Sequence, residues 1–189
     1  MARLVRKLGV LLIAGGVGAA AAIALRRERQ PVRNPRVPEP AKPVDLDRYL
    51  GLWHELGRFE TGFERGCEGV TAEYAAARGG LIRVVNTCRE RPRADASHVA
   101  RGRAKVADPA TNAKLKVSFF GPFFLGNYWV LDHADDYAWS IVGEPSGRYL
   151  WILSRDPTPG EEAYRQLVTR AEALGYDMTD FRRTRQAPA

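Results

Sequence analysis

The feature that most constrains the fold is a series of short strand-like segments between residues 51 and 155, which follow one another at regular intervals. The clearest is 113–120, where Leu115, Val117 and Phe119 alternate with lysines and a serine. A period of two residues is typical of a β-strand with one buried face, because successive side chains point to opposite faces. We predict strands at 51–59, 69–77, 81–89, 99–106, 113–120, 127–132, 138–142 and 149–154.

The connections between these segments are short and rich in turn residues. Arg78-Gly79-Gly80 predicts a hairpin turn, and Asp108-Pro109 predicts another. Short connections indicate an antiparallel meander, and closing a meander into a barrel removes its unpaired edges. The sequence therefore predicts an all-β fold, an eight-stranded antiparallel up-and-down barrel whose interior is wide enough for one small ligand.

One C-terminal helix is expected after the eighth strand. Thr158 is the predicted N-cap, Pro159 suits the first helical position, and Glu161 completes a capping box. Apolar residues then recur on one face as far as Gly175, which fits the end of the helix. Because the eighth strand is apolar on both faces, we expect the helix to pack on its outer side. A short final strand is expected at 178–185.

Positive charge is concentrated at the N-terminal end of the chain. The net charge is +7, and nine of the 29 Lys and Arg but only two of the 22 Asp and Glu precede residue 44. The excess of seven therefore lies wholly in that segment, and the rest of the chain is neutral. A neutral folded part lacks the basic surface that nucleic-acid binding requires, so no nucleic-acid partner is expected.

The N-terminal segment, residues 1–29, contains an uncharged run at 8–25 with arginines on both sides. As a helix the run would span about 27 Å, slightly less than a bilayer core. Two interpretations stay open, a membrane anchor and a cleaved secretory signal, and both predict a periplasmic or cell-envelope location. Residues 30–43 contain five prolines, which predicts an extended linker before a folded domain at 44–186.

Motifs at both ends of the predicted barrel resemble those of one family. The first strand begins with Gly51, Leu52 and Trp53 after a predicted helical turn, and Arg155 follows the eighth strand. With Phe-Glu-Arg-Gly at 63–66, these motifs occur in the order that they have in lipocalins. The chain resembles the lipocalin family, and its bacterial members in particular, over about residues 44–185.

This resemblance implies a structural floor at one end of the barrel, formed by Gly51, Trp53 and Arg155. Arg155 is expected to lie over the Trp53 ring, a cation–π contact that contributes about 1–2 kcal/mol when desolvated. Two features depart from the family pattern. The middle signature, usually Thr-Asp-Tyr, is only approximated around Asp132 and Tyr137, and the lipid-modified cysteine of the bacterial lipoproteins is absent.

The resemblance also implies a lipophilic ligand in the barrel, such as a fatty acid or a lysophospholipid, and no catalysis or cofactor. The residues expected to line the ligand site are Tyr74, Asn86, Phe119, Tyr128 and Trp151. Aromatic rings would bury hydrocarbon, and Asn86 and the hydroxyls would orient the polar end. In the alternative interpretation the rings fill a solid core, and function lies in the tether or in a homodimer surface.

Cys67 and Cys88 are the only cysteines, and they lie almost equally far from the hairpin turn at 78–80. Neighbouring strands would bring them together, so a disulfide is predicted in an exported protein. The competing hypothesis is a lipid-modifying enzyme that uses a free thiol or an inward acid such as Glu55. No metal site is expected, because the three histidines share no ligand spacing.

Overall fold

The computed structural model describes residues 30–90 and 97–186, with a compact unit that begins at Val32. The predicted anchor or signal segment at 1–29 lies outside the described residues. In the described part of the chain, no helix has the length and apolar character needed to cross a membrane.

Nine strands and two α-helices make up the described fold, with a single 3-10 turn at Arg78–Gly80 between the second and third strands. They are α1 (Leu46–Tyr49), β1 (Gly51–Phe59), β2 (Cys67–Ala76), β3 (Ile82–Glu90), β4 (Ser97–Val106), β5 (Lys114–Ser118), β6 (Gly126–His133), β7 (Trp139–Gly143), β8 (Leu150–Ser154), α2 (Glu161–Ala173) and β9 (Phe181–Arg183). Each of the eight predicted barrel strands is present.

Strands β1 to β8 form a closed antiparallel barrel, because each of them pairs with the next and β8 pairs back with β1. The prediction of an eight-stranded barrel with an external helix is confirmed. A β-bulge shifts the register of β1 against β8 between Glu55 and Gly57. Beyond it β1 leaves β2 and pairs with β9 instead, with Gly57 opposite Arg183. A Cβ on Gly57 would lie 2.5 Å from the Phe181 ring, so β9 packs this closely only against glycine.

The helix α1 marks the closed end of the barrel. The Asp45 side chain caps it by accepting hydrogen bonds from the amides of Asp47 and Arg48. β1 runs away from this end, so the antiparallel order places the connections β1–β2, β3–β4, β5–β6 and β7–β8 at the opposite end. We call that opposite end the mouth. Its described loops are 60–66, 119–125 and 144–149.

The helix α2 packs on the outside of the barrel, where Leu167 and Ala171 are buried with Leu150 and Ile152 of β8. The prediction of Thr158 as its N-cap is wrong. Gly160 occupies the N-cap with φ 83° and makes no side-chain cap bond. Thr158 instead donates its amide to Asp156 in the preceding turn. Thr158 therefore lies two residues before the N-cap Gly160 and does not cap the helix.

Residues 32–43, which make up most of the predicted linker at 30–43, lie against the barrel. Gly147 O accepts hydrogen bonds from the amides of Arg33 and Asn34, and Ala41 N donates to Leu131 O. Asn34 is buried, and its Nδ2 donates to Leu174 O over 2.9 Å. The segment thus descends from the mouth to the closed end rather than standing free as a spacer. Proline fixes the backbone dihedral but leaves neighbouring amides able to dock.

Candidate ligand-binding site: the barrel interior

The floor of the barrel is built around Trp53, which is fully buried. Its Nε1 donates to Tyr49 O over 2.8 Å, and the two ring centroids are 5.0 Å apart. The Arg155 guanidinium lies 3.8 Å from the centroid of the Trp53 ring. Arg155 also donates to Leu52 O (2.6 Å), Leu50 O (2.8 Å), Arg48 O (2.9 Å) and Tyr49 O (3.2 Å). One side chain thereby joins the end of β8 to α1 and to the start of β1.

A set of neutral hydroxyls lies above the floor. The Tyr49 hydroxyl is 2.8 Å from that of Tyr128 and 3.0 Å from Ser140 Oγ, and Tyr74 donates to Tyr128 over 3.0 Å. Burial raises the pKa of Tyr49 to about 12 and raises the pKa values of Tyr74 and Tyr128 as well. The hydroxyls stay protonated, so this part of the interior is uncharged but offers hydrogen bonds.

Nearer the mouth, β1 carries a buried ion pair, in which Arg58 Nη1 lies 2.5 Å from Glu55 Oε1. The guanidinium is fully buried, and its other partners are Thr184 Oγ1 (3.0 Å), Glu60 Oε1 (3.1 Å), Glu64 O (2.6 Å) and Cys67 O (3.2 Å). Burial raises the pKa of Glu55, and the positive charge of Arg58 opposes that rise. Arg58 therefore holds the loop 60–66 and β9 against the barrel wall.

Glu64 brings a second carboxyl to the same place. Its Oε2 accepts hydrogen bonds from Trp151 Nε1 (3.2 Å) and Thr61 Oγ1 (3.1 Å). Burial, together with the charge of Glu55, raises the pKa of Glu64 to about 8, although Arg58 favours the ionised form. Near neutral pH the group is mostly protonated, so Glu64 contributes a neutral carboxylic acid.

The residues expected to line the ligand site belong to the interior. Tyr74 is buried in the same cluster as Trp53, and Phe119, Tyr128 and Trp151 pack against that cluster while remaining partly exposed. Asn86 pairs with Ala72, a buried member of the cluster, and its Oδ1 is buried without a hydrogen-bond partner. Their role in ligand binding stays a prediction.

The arrangement of this barrel agrees with the comparison to protein families, in which the model described as a lipocalin-like domain matches residues 44–186. The chain belongs to the lipocalin-like family. The resemblance found in the sequence is thus confirmed over the whole barrel and β9.

Relatives of this lipocalin-like chain occur in bacteria and in plants. It is 40% identical over 137 residues to the outer membrane lipoprotein Blc of Escherichia coli (strain K12), covering 72% of this chain and 76% of the relative. It is 37% identical over 157 residues to temperature-induced lipocalin-1 of Arabidopsis thaliana, covering 79% and 83%. Among solved structures, insecticyanin of the tobacco hornworm Manduca sexta superposes with a TM-score of 0.62 at 22% identity, covering 79% and 84%, and so agrees in fold.

The two cysteines of this lipocalin-like chain form the predicted disulfide. Cys67 and Cys88 are bonded, with Cα atoms 5.3 Å apart, and the described residues hold no free cysteine. The free-thiol form of the enzyme hypothesis is therefore wrong, because both sulfurs are used in the bond. The inward acid Glu55 does lie in the interior, but it is engaged by Arg58 and Thr184.

Sequence reasoning missed Arg58, Glu64, Tyr49 and Ser140 as interior residues. Glu55 shares its strand parity with Trp53, which indicates the interior face, but Arg58 has the opposite parity. The bulge between Glu55 and Gly57 reverses the alternation, and a bulge leaves no clear signal in one sequence.

Proposed function

We propose that this lipocalin-like protein is a non-enzymatic carrier, which holds one amphiphile such as a fatty acid or a lysophospholipid in the barrel interior. The observation that carries the proposal is a closed barrel whose floor is sealed by Trp53 and Arg155 and whose interior combines aromatic rings with neutral hydroxyls. Such a mixture suits a ligand with a long apolar tail and a few polar atoms.

In this proposal Tyr74, Phe119, Tyr128 and Trp151 surround the apolar part of the ligand. Each Å² of hydrocarbon removed from water would contribute about 25 cal/mol. The buried Oδ1 of Asn86 offers a hydrogen-bond acceptor to a donor on the ligand. The polar end would thus be oriented without any covalent step.

The chemistry of the interior favours binding over catalysis. The tyrosine hydroxyls have raised pKa values, which makes them poor nucleophiles, and both cysteine sulfurs are in the disulfide. Glu55 is the acid that the enzyme hypothesis would still need, but its carboxylate already accepts hydrogen bonds from two side chains.

We further propose that the carrier works in the cell envelope, tethered through residues 1–29 or released after their cleavage. The uncharged run at 8–25 supports this location, as does the similarity to relatives described as outer membrane lipoproteins. The cysteine used for lipid attachment is absent, so the apolar run itself is the proposed tether.

A fluorescent fatty-acid probe tests the carrier function. We expect saturable probe uptake that unlabelled fatty acid or lysophospholipid reverses, with severalfold weaker affinity in Phe119→Ala. Leu52→Ala is the matched control, because Leu52 is exposed at the closed end. Mass spectrometry of the recovered lipid should show the mass that was added. Uptake that never saturates would support the solid-core interpretation, and an altered lipid mass would support the enzyme.

A further inference from the structure

The mouth of the barrel carries an unusual set of exposed aromatic side chains. Phe63 in the loop 60–66 is 70% exposed, and Phe120 and Phe123 in the loop 119–125 are 75% and 69% exposed. No other phenylalanine in the described residues is among the exposed large apolar side chains. Isolated exposed apolar residues are ordinary, but large rings grouped at one end of a molecule mark a surface that contacts something apolar.

Basic side chains accompany these rings. Arg65 is exposed two residues after Phe63, and Arg101 and Arg103 are exposed on β4. Arg103 pairs with the last residue of β5 and donates to Gly121 O over 3.1 Å, so its charge is held beside the loop 119–125. This end of the barrel therefore presents positive charge next to its exposed rings.

The acidic side chains described at this end do not cancel that charge. Glu60 pairs with Arg58 and Arg182, and Glu68 pairs with Arg182. Glu144 is buried and accepts hydrogen bonds within its own turn. Asp177 and Asp180 are exposed at this end as well, but both lie beside Arg33. The exposed charge on the loop 60–66 and beside the loop 119–125, from Arg65 and Arg103, is thus positive.

The chain also enters the folded unit at the mouth. The amides of Arg33 and Asn34 donate to Gly147 O in the loop 144–149. Val32, the first residue of the folded unit, is therefore at the mouth end of the barrel. The sequence just before it contains Arg26, Arg27 and Arg29.

We propose that the mouth surface, defined as Phe63, Arg65, Arg103, Phe120 and Phe123, docks on an anionic lipid bilayer. The three rings enter the boundary between headgroups and acyl chains, and the arginines contact lipid phosphates. The mouth end of the barrel then faces the lipid directly. The proposal concerns an outer surface and does not depend on what the interior binds.

A site-specific environmental probe tests this docking in the full chain. Both native cysteines are in the disulfide, so Phe123→Cys supplies one titratable thiol for an NBD label. Leu52→Cys is the matched control, because Leu52 is 47% exposed at the closed end. Each labelled protein is reconstituted in vesicles of phosphatidylcholine and phosphatidylglycerol at 3:1, with and without doxyl-labelled lipid.

We expect the label at position 123 to shift to the blue and to lose at least half of its emission with doxyl lipid, while the label at 52 stays water-like. In pure phosphatidylcholine, and in Arg65→Gln on the Phe123→Cys background, the quenching should fall severalfold. Water-like emission at both positions would overturn the proposal, and so would equal quenching at both. A blue shift of the label at 123 that appears at high protein concentration without vesicles would also overturn the proposal, because it would show that the mouth surface binds a second copy of the chain. Since no interior ligand is measured, none of these outcomes decides the carrier function.

Discussion

Replacing Arg155 tests the floor of the barrel. Arg155→Ala removes the contact with the Trp53 ring, which contributes about 1–2 kcal/mol. It also removes the hydrogen bonds to the carbonyls of Leu52 and of the end of α1. The guanidinium is partly exposed, so water replaces some of these bonds, and the set contributes about 1–2 kcal/mol. We expect the free energy of unfolding to fall by about 3 kcal/mol.

Arg155→Lys separates the two contributions. An ammonium can keep a positive charge over the Trp53 ring, but it lacks the planar fork that reaches carbonyls on both Leu52 and α1. We expect this variant to lose about 1–2 kcal/mol, between the wild type and Arg155→Ala. The coupling energy between Arg155→Ala and Trp53→Phe should be about 1 kcal/mol, because the two side chains are in direct contact.

Urea unfolding followed by tryptophan fluorescence gives these free energies, and calorimetry gives the midpoint. A loss of about 3 kcal/mol corresponds to a fall in Tm of roughly 6–12 °C for a domain of this size. Arg165→Ala is the matched control, since Arg165 is an exposed arginine on α2 and should change stability by less than about 0.5 kcal/mol. If Arg155→Ala is no less stable than this control, Arg155 does not stabilise the floor, contrary to the prediction.

Three further predictions concern stability. The pKa of Glu64 is raised to about 8 in the folded protein from about 4.5 in the unfolded chain. Ionisation of this carboxyl therefore lowers the free energy of unfolding, an effect that is absent below pH 4.5 and grows until pH 8. Glu64→Gln should therefore flatten the fall in unfolding free energy across that range, and parallel curves for both proteins would contradict the shift. Reduction of the bond between Cys67 and Cys88 should cost about 3 kcal/mol, measured by urea unfolding with and without dithiothreitol; an unchanged midpoint would contradict it. Gly57→Ala should cost more than about 2 kcal/mol and expose β9 to hydrogen exchange, because its Cβ would overlap the Phe181 ring; unchanged exchange at β9 would contradict it.

The barrel could be predicted from the sequence because its signals are local. Alternation marks strands such as β5, and turn residues mark their ends. The disulfide followed from symmetry about one hairpin, since Cys67 and Cys88 need only neighbouring strands to meet. The pairing of Arg155 with the Trp53 ring, in contrast, came only from the family resemblance, because nothing local connects two residues that far apart.

The features that could not be predicted depend on departures from regular geometry. The bulge in β1 turns Arg58 inward, and Gly160 with φ 83° delays the start of α2 beyond Thr158. The docking of residues 32–43 depends on Asn34 and its distant acceptor Leu174 O, which proline content does not indicate. In each case tertiary contacts, rather than local preference, decide the conformation.

The pairing of β1 with β8, which closes the barrel, affects the order in which the chain can fold. His54 lies opposite Ser154, so the barrel closes by joining segments about 100 residues apart in the chain. Such non-local pairing forms slowly, because the entropy of closing a long loop is lost before the stabilising contacts between the two strands are made. In a chain that emerges N-terminus first, β1 therefore lacks its partner β8 until almost the last barrel strand has emerged. The wall of the barrel is therefore complete only when the eighth strand is available to pair with the first.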